Sequence, residues 1–127
     1  MNVVDSSGWL EYFADGPNAD IFAPIIEDIE TLVTPTVSIY EVFKRVLQQR
    51  NEHEALQAVA VMLRTTVVEL DTQLALAAAR ISAQLQIPMA DSFILATART
   101  HSATLWTQDA HFASIQGVRY IPAQSRR

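Results

Sequence analysis

Four carboxylate residues, Asp5, Glu41, Asp91 and Asp109, stand where the chain leaves a predicted strand or opens a helix. A cluster of carboxylates without cysteine selects hard cations such as Mg²⁺ or Mn²⁺. Two such ions can hold a phosphodiester and activate water for in-line attack. If the four side chains converge, the expected chemistry is metal-assisted hydrolysis of a phosphodiester.

Each of the four carboxylates also has a purely structural explanation. Asp5 and Asp91 are good N-cap residues, and Asp109 favours a turn before a short helix. Residues 38–41 fit the capping box S-x-x-E, in which the glutamate bonds back to the start of its helix. Asp71, which also lies between a strand and a helix, is interpreted as a cap alone. Taken singly the carboxylates do not define a site, so the prediction depends on the set.

The composition bounds the class of protein. The chain has 127 residues, of which 50% are hydrophobic and 18% charged, as expected of one folded domain over residues 1–127. The absence of cysteine excludes a disulfide scaffold and a thiolate zinc site. Charges interrupt every apolar run before it is long enough to span a membrane, and Asp5 interrupts the only candidate leader. A cytoplasmic location is expected.

The net charge is −5, which by itself argues against a general nucleic-acid-binding protein. Two divalent ions bound by the carboxylates would change the formal charge to −5 + 4 = −1. The objection to a nucleic-acid substrate then largely disappears. Lys44, Arg45 and Arg50 form a candidate phosphate-facing stripe near Glu41.

Strands alternate with helices along the whole chain. Apolar runs predict strands at 2–4, 32–34, 67–70, 104–107 and 118–121. Helical spacing predicts helices at 8–13, 17–30, 38–50, 52–64, 72–85 and from 91 onwards, with a helical turn at 110–114. In the helix over 52–64, Leu56, Val59, Ala60 and Leu63 are expected to face the core. Residues 124–127 are expected to be a frayed polar tail.

This alternation predicts an α/β fold, with a mainly parallel central sheet and helices on both faces. Right-handed crossovers bring the carboxyl ends of the strands to one edge, where such folds bind ligands. The four carboxylates are therefore expected to converge there.

The same residues resemble a known family. The resemblance rests on four pieces that occur in order along nearly the whole chain: Val4-Asp5-Ser6-Ser7 followed by Trp9, Ser38-x-x-Glu41, Ala90-Asp91-x-x-Ile94-x-Ala96-x-Ala98, and Thr107-x-Asp109-x-x-Phe112. Together they resemble the PIN-domain family, and more closely the VapC-type toxins of toxin–antitoxin pairs.

The resemblance implies a PIN-like three-layer sandwich and an endoribonuclease that depends on Mg²⁺ or Mn²⁺. It also implies a homodimer that a VapB-type antitoxin holds inactive. It maps the four carboxylates onto the family's acidic quartet, with Asp5 and Asp91 as the expected first metal ligands. Ser6 and Thr107 are the expected auxiliary hydroxyl residues.

Two other functions compete with the nuclease. A receiver-like signalling module would need a lysine after a late strand, whereas the only lysine, Lys44, lies inside a predicted helix. A non-catalytic PIN-like binding module should have lost carboxylates, and all four are present. The glycines at 8, 16 and 117 exclude dinucleotide-binding and P-loop motifs. His53, His101 and His111 show no metal-ligand spacing and are expected at surface or structural positions, although His111 is close enough to Asp109 to contact RNA.

Overall fold

Five short strands form a parallel sheet between two layers of helices. The computed structural model describes residues 1–125, so half of the expected tail, Arg126 and Arg127, lies outside the described residues. The strands are β1 (Asn2–Val4), β2 (Val33–Pro35), β3 (Thr66–Val68), β4 (Thr104–Thr107) and β5 (Val118–Tyr120). The helices are α1 (Ser6–Phe13), α2 (Ala19–Glu27), α3 (Thr36–Gln49), α4 (Glu52–Met62), α5 (Thr72–Leu85) and α6 (Met89–Thr100). Single 3₁₀ turns occupy Ile29–Thr31 and Ala110–Phe112.

All strand pairs are parallel. Strand β4 pairs with β1 on one side and β5 on the other, and β2 pairs with β3. One parallel bridge between Asn2 and Leu32 joins the two groups of strands. This arrangement confirms the predicted α/β fold and brings the carboxyl ends of the strands to one edge.

The two faces of the sheet carry separate hydrophobic cores. Val3 and Val4 are both fully buried and, as neighbours on a strand, point to opposite faces. Val3 packs with residues of α5 and α6, such as Ala78 and Ile94. Val4 packs with residues of the first four helices, such as Trp9. The expected three layers are therefore confirmed.

Glycine at position 8 permits the close approach of α1 to its neighbours. A Cβ atom there would lie 2.6 Å from Val4 Cγ1 and 2.7 Å from Phe22 Cε1. Both distances are shorter than real side-chain contacts. Any larger residue at position 8 would therefore move α1 away from Val4 and Phe22. Because α1 begins directly after β1, this close packing also sets the position of the Asp5-Ser6-Ser7 segment.

Several helix boundaries differ from the predictions by one to three residues, among them the end of α2 and the start of α3. The helix predicted over 17–30 ends at Glu27, because Asp28 leaves the helical region with φ −87° and ψ 71°. Helix α3 begins at Thr36 rather than at residue 38, with Pro35 as its N-cap. Proline is compatible with both roles that it fills here, the last residue of β2 and the entry to a helix.

The predicted buried face of α4 is wrong. Leu56 and Leu63 are 54% and 57% exposed, whereas Ala55, Ala58 and Met62 are buried. The small alanine side chains allow α4 to lie close against its neighbours, and Met62 fills the space beside them. A hydrophobicity pattern favours the larger leucines and so assigns the wrong face.

A buried polar side chain anchors the end of the described chain. Asn18 is fully buried, and its Nδ2 donates to Gln108 Oε1 (2.6 Å) and to the carbonyl oxygen of Pro122 (2.9 Å). Gln124 Nε2 donates to Asn18 Oδ1 at 2.8 Å. Gln124, which was expected in a frayed tail, is therefore held in place. Among residues 1–125, no helix combines the length and hydropathy needed to cross a bilayer.

Candidate metal centre

The register of β1 and β4 places Asp5 beside Thr107. Val4 pairs with Trp106, and the backbone N–H of Asp5 donates to the Trp106 carbonyl oxygen at 2.9 Å. Asp5 and Thr107, the residues that follow this pair, therefore lie side by side at the end of the two strands. Both Asp5 and Thr107 are buried at the carboxyl edge.

Two hydroxyl groups hold the Asp5 carboxylate. Ser7 Oγ donates to Asp5 Oδ2 at 2.7 Å, and Thr107 Oγ1 donates to the same oxygen at 2.8 Å. The hydroxyls are fixed in turn, since Ser7 Oγ accepts from the N–H of Gln108 and Thr107 Oγ1 from that of Asp109. Asp5 also caps α1 through the N–H of Ser7 at 3.4 Å, so its structural and site positions coincide. Ser7, rather than Ser6, is the serine that contacts Asp5.

Glu41 is tied to the segment after β1 and not to its own helix. Ser6 Oγ donates to Glu41 Oε1 at 2.6 Å, across 35 positions of sequence. The capping-box interpretation is wrong, because Ser38 lies inside α3 and its buried Oγ has no hydrogen-bond partner among the described residues. Ser6 therefore supports Glu41, and not Asp5, with its hydroxyl group.

The other two carboxylates come from different elements on the same edge. Asp91 lies in the first turn of α6 and is not its cap, because the helix begins at Met89 after Pro88. The N-cap interpretation of Asp91 is therefore wrong. Asp109 does cap a turn, accepting the N–H of His111 at 2.9 Å. Asp71, by contrast, is only a cap, accepting the N–H of Leu74 at 2.8 Å.

His111 joins this group, which the sequence spacing did not indicate. Its Nδ1 lies 3.2 Å from Asp91 Oδ2 and 3.3 Å from Asp109 Oδ1. One ligand atom from each of these three residues lies within 4.8 Å of the other two, an arrangement that could hold a metal ion. Asp5 is not a member of this triad. The one signal in the sequence was that His111 follows Asp109 by two residues, close enough for both to face one ligand.

All four predicted carboxylates line one cleft of about 430 Å³. The cleft is bounded by the segment after β1, by α3, by the start of α6 and by the turn after β4. Another cleft, of about 630 Å³, lies between α1, α3 and α4, and none of the four carboxylates lines it.

Burial and repulsion by neighbouring charges disfavour the charged forms of Asp5, Glu41 and Asp91. The pKa of Asp91 is raised to about 6, mainly by burial and also by the negative charges of Asp109 and Asp5, against a smaller opposing effect of His111. Burial is also the main cause of the raised pKa of Asp5, with Asp109 adding to it. The pKa of Glu41 is raised by burial and by Asp5 and Asp109. Because ionising these carboxylates costs free energy, a cation bound among them would stabilise their charged forms.

The donor set fits a divalent metal ion. Asp91 and Asp109 offer carboxylate oxygens and His111 offers an imidazole nitrogen, all at a spacing that one ion could bridge. Oxygen ligands suit both Mg²⁺ and Mn²⁺, and a nitrogen ligand favours Mn²⁺ over Mg²⁺. Asp5 keeps one oxygen available, because the hydrogen bonds given above all end on its Oδ2.

Comparison with known proteins gives the family. The model of the PIN domain matches residues 3–118. No curated protein matches the chain significantly. Among solved structures, a toxin–antitoxin complex from Klebsiella pneumoniae is 19% identical with a TM-score of 0.75, over 95% of this chain and 100% of that one. VapC20 of Mycobacterium tuberculosis, a sarcin–ricin loop cleaving toxin, is 14% identical with a TM-score of 0.75, over 91% and 95%. VapBC2 of Rickettsia felis, crystallised with promoter DNA, is 14% identical with a TM-score of 0.74, over 97% and 98%.

At these identities the structural neighbours show the fold alone. They include VapC toxins of VapBC toxin–antitoxin systems, several of them in complexes with the antitoxin. The family model covers all but the ends of the chain, including all four carboxylates. The chain therefore belongs to the PIN-domain family.

Proposed function

We propose that this protein is an endoribonuclease that depends on Mg²⁺ or Mn²⁺ and acts as the toxin of a toxin–antitoxin pair. The observation that carries the proposal is the convergence of Asp5, Glu41, Asp91 and Asp109 in one cleft, with His111 beside them. Membership of the PIN-domain family and the fold of the VapC structures support it.

Asp91, Asp109 and His111 are the residues that would hold the ion, together with the free oxygen of Asp5. A bound divalent ion would activate water for attack on the phosphorus and offset the charge that develops on the phosphoryl group. The products would be a 5′-phosphate and a 3′-hydroxyl. The protein would encounter both RNA and the antitoxin in the cytoplasm. Its active form would be a homodimer.

The chain itself contributes the rigidity of the site. Ser7 and Thr107 fix the orientation of the Asp5 carboxylate, and their own hydrogen bonds to backbone N–H groups fix the two hydroxyls. Ser6 orients Glu41 through one hydrogen bond from its hydroxyl. Carboxylates held by such supporting contacts need no reorganisation when a cation or a phosphate arrives.

The direct test is RNA cleavage by metal-stripped protein, free of antitoxin, with and without Mg²⁺ or Mn²⁺. Cleavage is expected only when the ion is added, and mass spectrometry of the fragments should show 5′-phosphate ends. Calorimetry on the same sample measures binding of the ion. A protein that neither binds the ion nor cuts tRNA, rRNA or mRNA would instead be a non-catalytic PIN-like binding module.

His111 is expected to influence the choice of ion. Replacing it by alanine should weaken Mn²⁺ binding about tenfold and Mg²⁺ binding less, because an imidazole nitrogen is a better ligand for Mn²⁺ than for Mg²⁺. Calorimetric titration of each ion into the wild type and the His111→Ala variant measures the two changes. His53→Ala, at an exposed histidine on α4, is the matched control. No loss for either ion would show that His111 is not a ligand, and equal losses would show that it does not discriminate between the two ions.

A further inference from the structure

One face of α3 leads from the carboxylates to the outer rim of the cleft. Tyr40, Glu41, Lys44, Arg45 and Gln48 all line the cleft, at the spacing of neighbouring positions on a helix. With a rise of about 1.5 Å per residue, Lys44 and Arg45 lie roughly 5–6 Å along the helix axis from Glu41, and Gln48 roughly 10 Å. That distance corresponds to one or two nucleotides beside the metal centre.

Tyr40 stands out among the aromatic residues of this protein. It is 63% exposed, whereas every other Phe, Tyr and Trp side chain among residues 1–125 is buried or partly buried. Lys44 lies over it, with Nζ 5.8 Å from the ring centroid. An exposed aromatic ring is a surface on which a nucleic-acid base can stack, and a cation beside the ring favours the same ligand.

The cations of this face have no carboxylate partner among residues 1–125. Lys44, Arg45 and Arg50 are exposed, and the only ion pairs within residues 1–125 are those of His111. Neither Lys44 nor Arg45 neutralises Glu41, although both lie within one helical turn of it. Apart from Glu41, every charged residue of α3 is a cation, whereas the chain as a whole carries a net charge of −5.

We infer that Tyr40, Lys44 and Arg45 form the contact for the single-stranded RNA that enters the metal centre, with Tyr40 stacking on a base and the two cations binding phosphates. This inference rests on the proposed nuclease function. A single strand is favoured over a duplex because a base inside a duplex is already stacked and cannot lie on a side chain. RNA is favoured over a protein partner because the aromatic ring and unpaired cations adjoin the phosphodiester-cleaving groups.

The test measures the affinity of the full-length protein for a short fluorescein-labelled RNA by fluorescence anisotropy. Ca²⁺ replaces Mg²⁺ or Mn²⁺ so that the probe stays intact, which a gel verifies. The same sequence is tested as a single strand and as a duplex. Tyr40→Ala should weaken binding of the single strand about tenfold and leave the duplex unchanged, whereas Tyr40→Phe should stay within about twofold of the wild type.

The cations have a separate readout. The double variant Lys44→Ala/Arg45→Ala should bind both forms more weakly, and its affinity should depend less steeply on salt, with the slope reduced by about 1.4 for a single strand, since two phosphate contacts are lost. Leu76→Ala and Arg80→Ala, at exposed positions of α5 on the other face of the sheet, are the controls and should change neither quantity.

Mn²⁺ binding and RNA cleavage by the wild type are measured alongside. If the wild type binds the ion and cuts RNA but Tyr40→Ala retains full affinity for the single strand, this inference is overturned and the nuclease stands. An equal loss for single strand and duplex would also overturn the stacking contact. If the wild type binds neither ion nor RNA, the proposed function fails and the inference falls with it.

Discussion

Replacing Asp91 by asparagine is expected to reduce metal-dependent RNA cleavage by roughly 10²–10³-fold. The substitution keeps the shape of the side chain but removes the negative charge that contacts His111 and repels Asp109. A neutral amide is a poor ligand for a hard cation, so binding of the ion should fall with the activity. Initial cleavage rates and calorimetric titration with Mn²⁺ measure the two losses on one preparation.

The matched control for this prediction is Asp71→Asn. Asp71 also follows a strand and opens a helix, but its carboxylate only caps α5. Asparagine caps a helix about as well as aspartate, so this variant should keep its stability, its metal affinity and its cleavage rate. If Asp91→Asn cut RNA as fast as Asp71→Asn, Asp91 would have no part in the reaction. A loss of cleavage in Asp91→Asn alone would also exclude a contaminating nuclease, whose activity would survive in both variants.

Without a metal ion, the folded protein is expected to lose stability as the pH rises through about 6. The folded-state pKa of Asp91 is raised from 3.8 to about 6, mainly by burial and also by repulsion from Asp109 and Asp5, against a smaller opposing effect of His111. Below pH 3.8 Asp91 is protonated in both the folded and the unfolded state, and its favourable contribution is fully present. Above about 6 it must ionise among like charges, and that contribution is lost. Asp5 and Glu41, whose pKa values are also raised, act in the same direction.

The expected loss between pH 5 and pH 8 is on the order of 2 kcal/mol in the free energy of unfolding, or roughly 5–10 °C in Tm. Thermal unfolding of metal-stripped protein across this pH range measures it. Saturating Mn²⁺ at pH 8 should restore the stability, because an ion that binds the ionised carboxylates stabilises the folded state alone. Asp91→Asn should flatten the pH dependence. A metal-free protein equally stable at pH 5 and pH 8 would show that folding does not raise the pKa values of these carboxylates.

Most of the fold could be predicted from local patterns. The alternation of apolar runs and helical spacing located all five strands and six helices, because burial of a strand or of a helix face leaves a period in the sequence. The errors lie at boundaries and in the orientation of α4. The leucines of α4 are the more hydrophobic residues, yet Ala55, Ala58 and Met62 face the core, because the small alanine side chains allow the helix to lie close to its neighbours. That choice depends on the neighbouring elements, which a local pattern does not contain.

The carboxylates of the site were predictable for a different reason. In a parallel α/β fold, residues that follow the strands must meet at one edge, so the order of strands and helices was enough to place Asp5 and Asp109 together. Asp91 and Glu41 followed from their positions at the starts of helices. Their local capping explanations were wrong, since Glu41 bonds to Ser6 and α6 begins before Asp91.

The supporting contacts and the third member of the triad were decided by tertiary structure. His111 meets Asp91 across 20 positions of sequence, Ser6 meets Glu41 across 35, and Thr107 meets Asp5 across 102. The sequence by itself determined which residue types stand at the edge of the sheet, because periodicity and strand ends are local properties. Which side chains touch there depends on strand register and helix packing, and these are settled only when distant segments compete for the same space and the same hydrogen bonds.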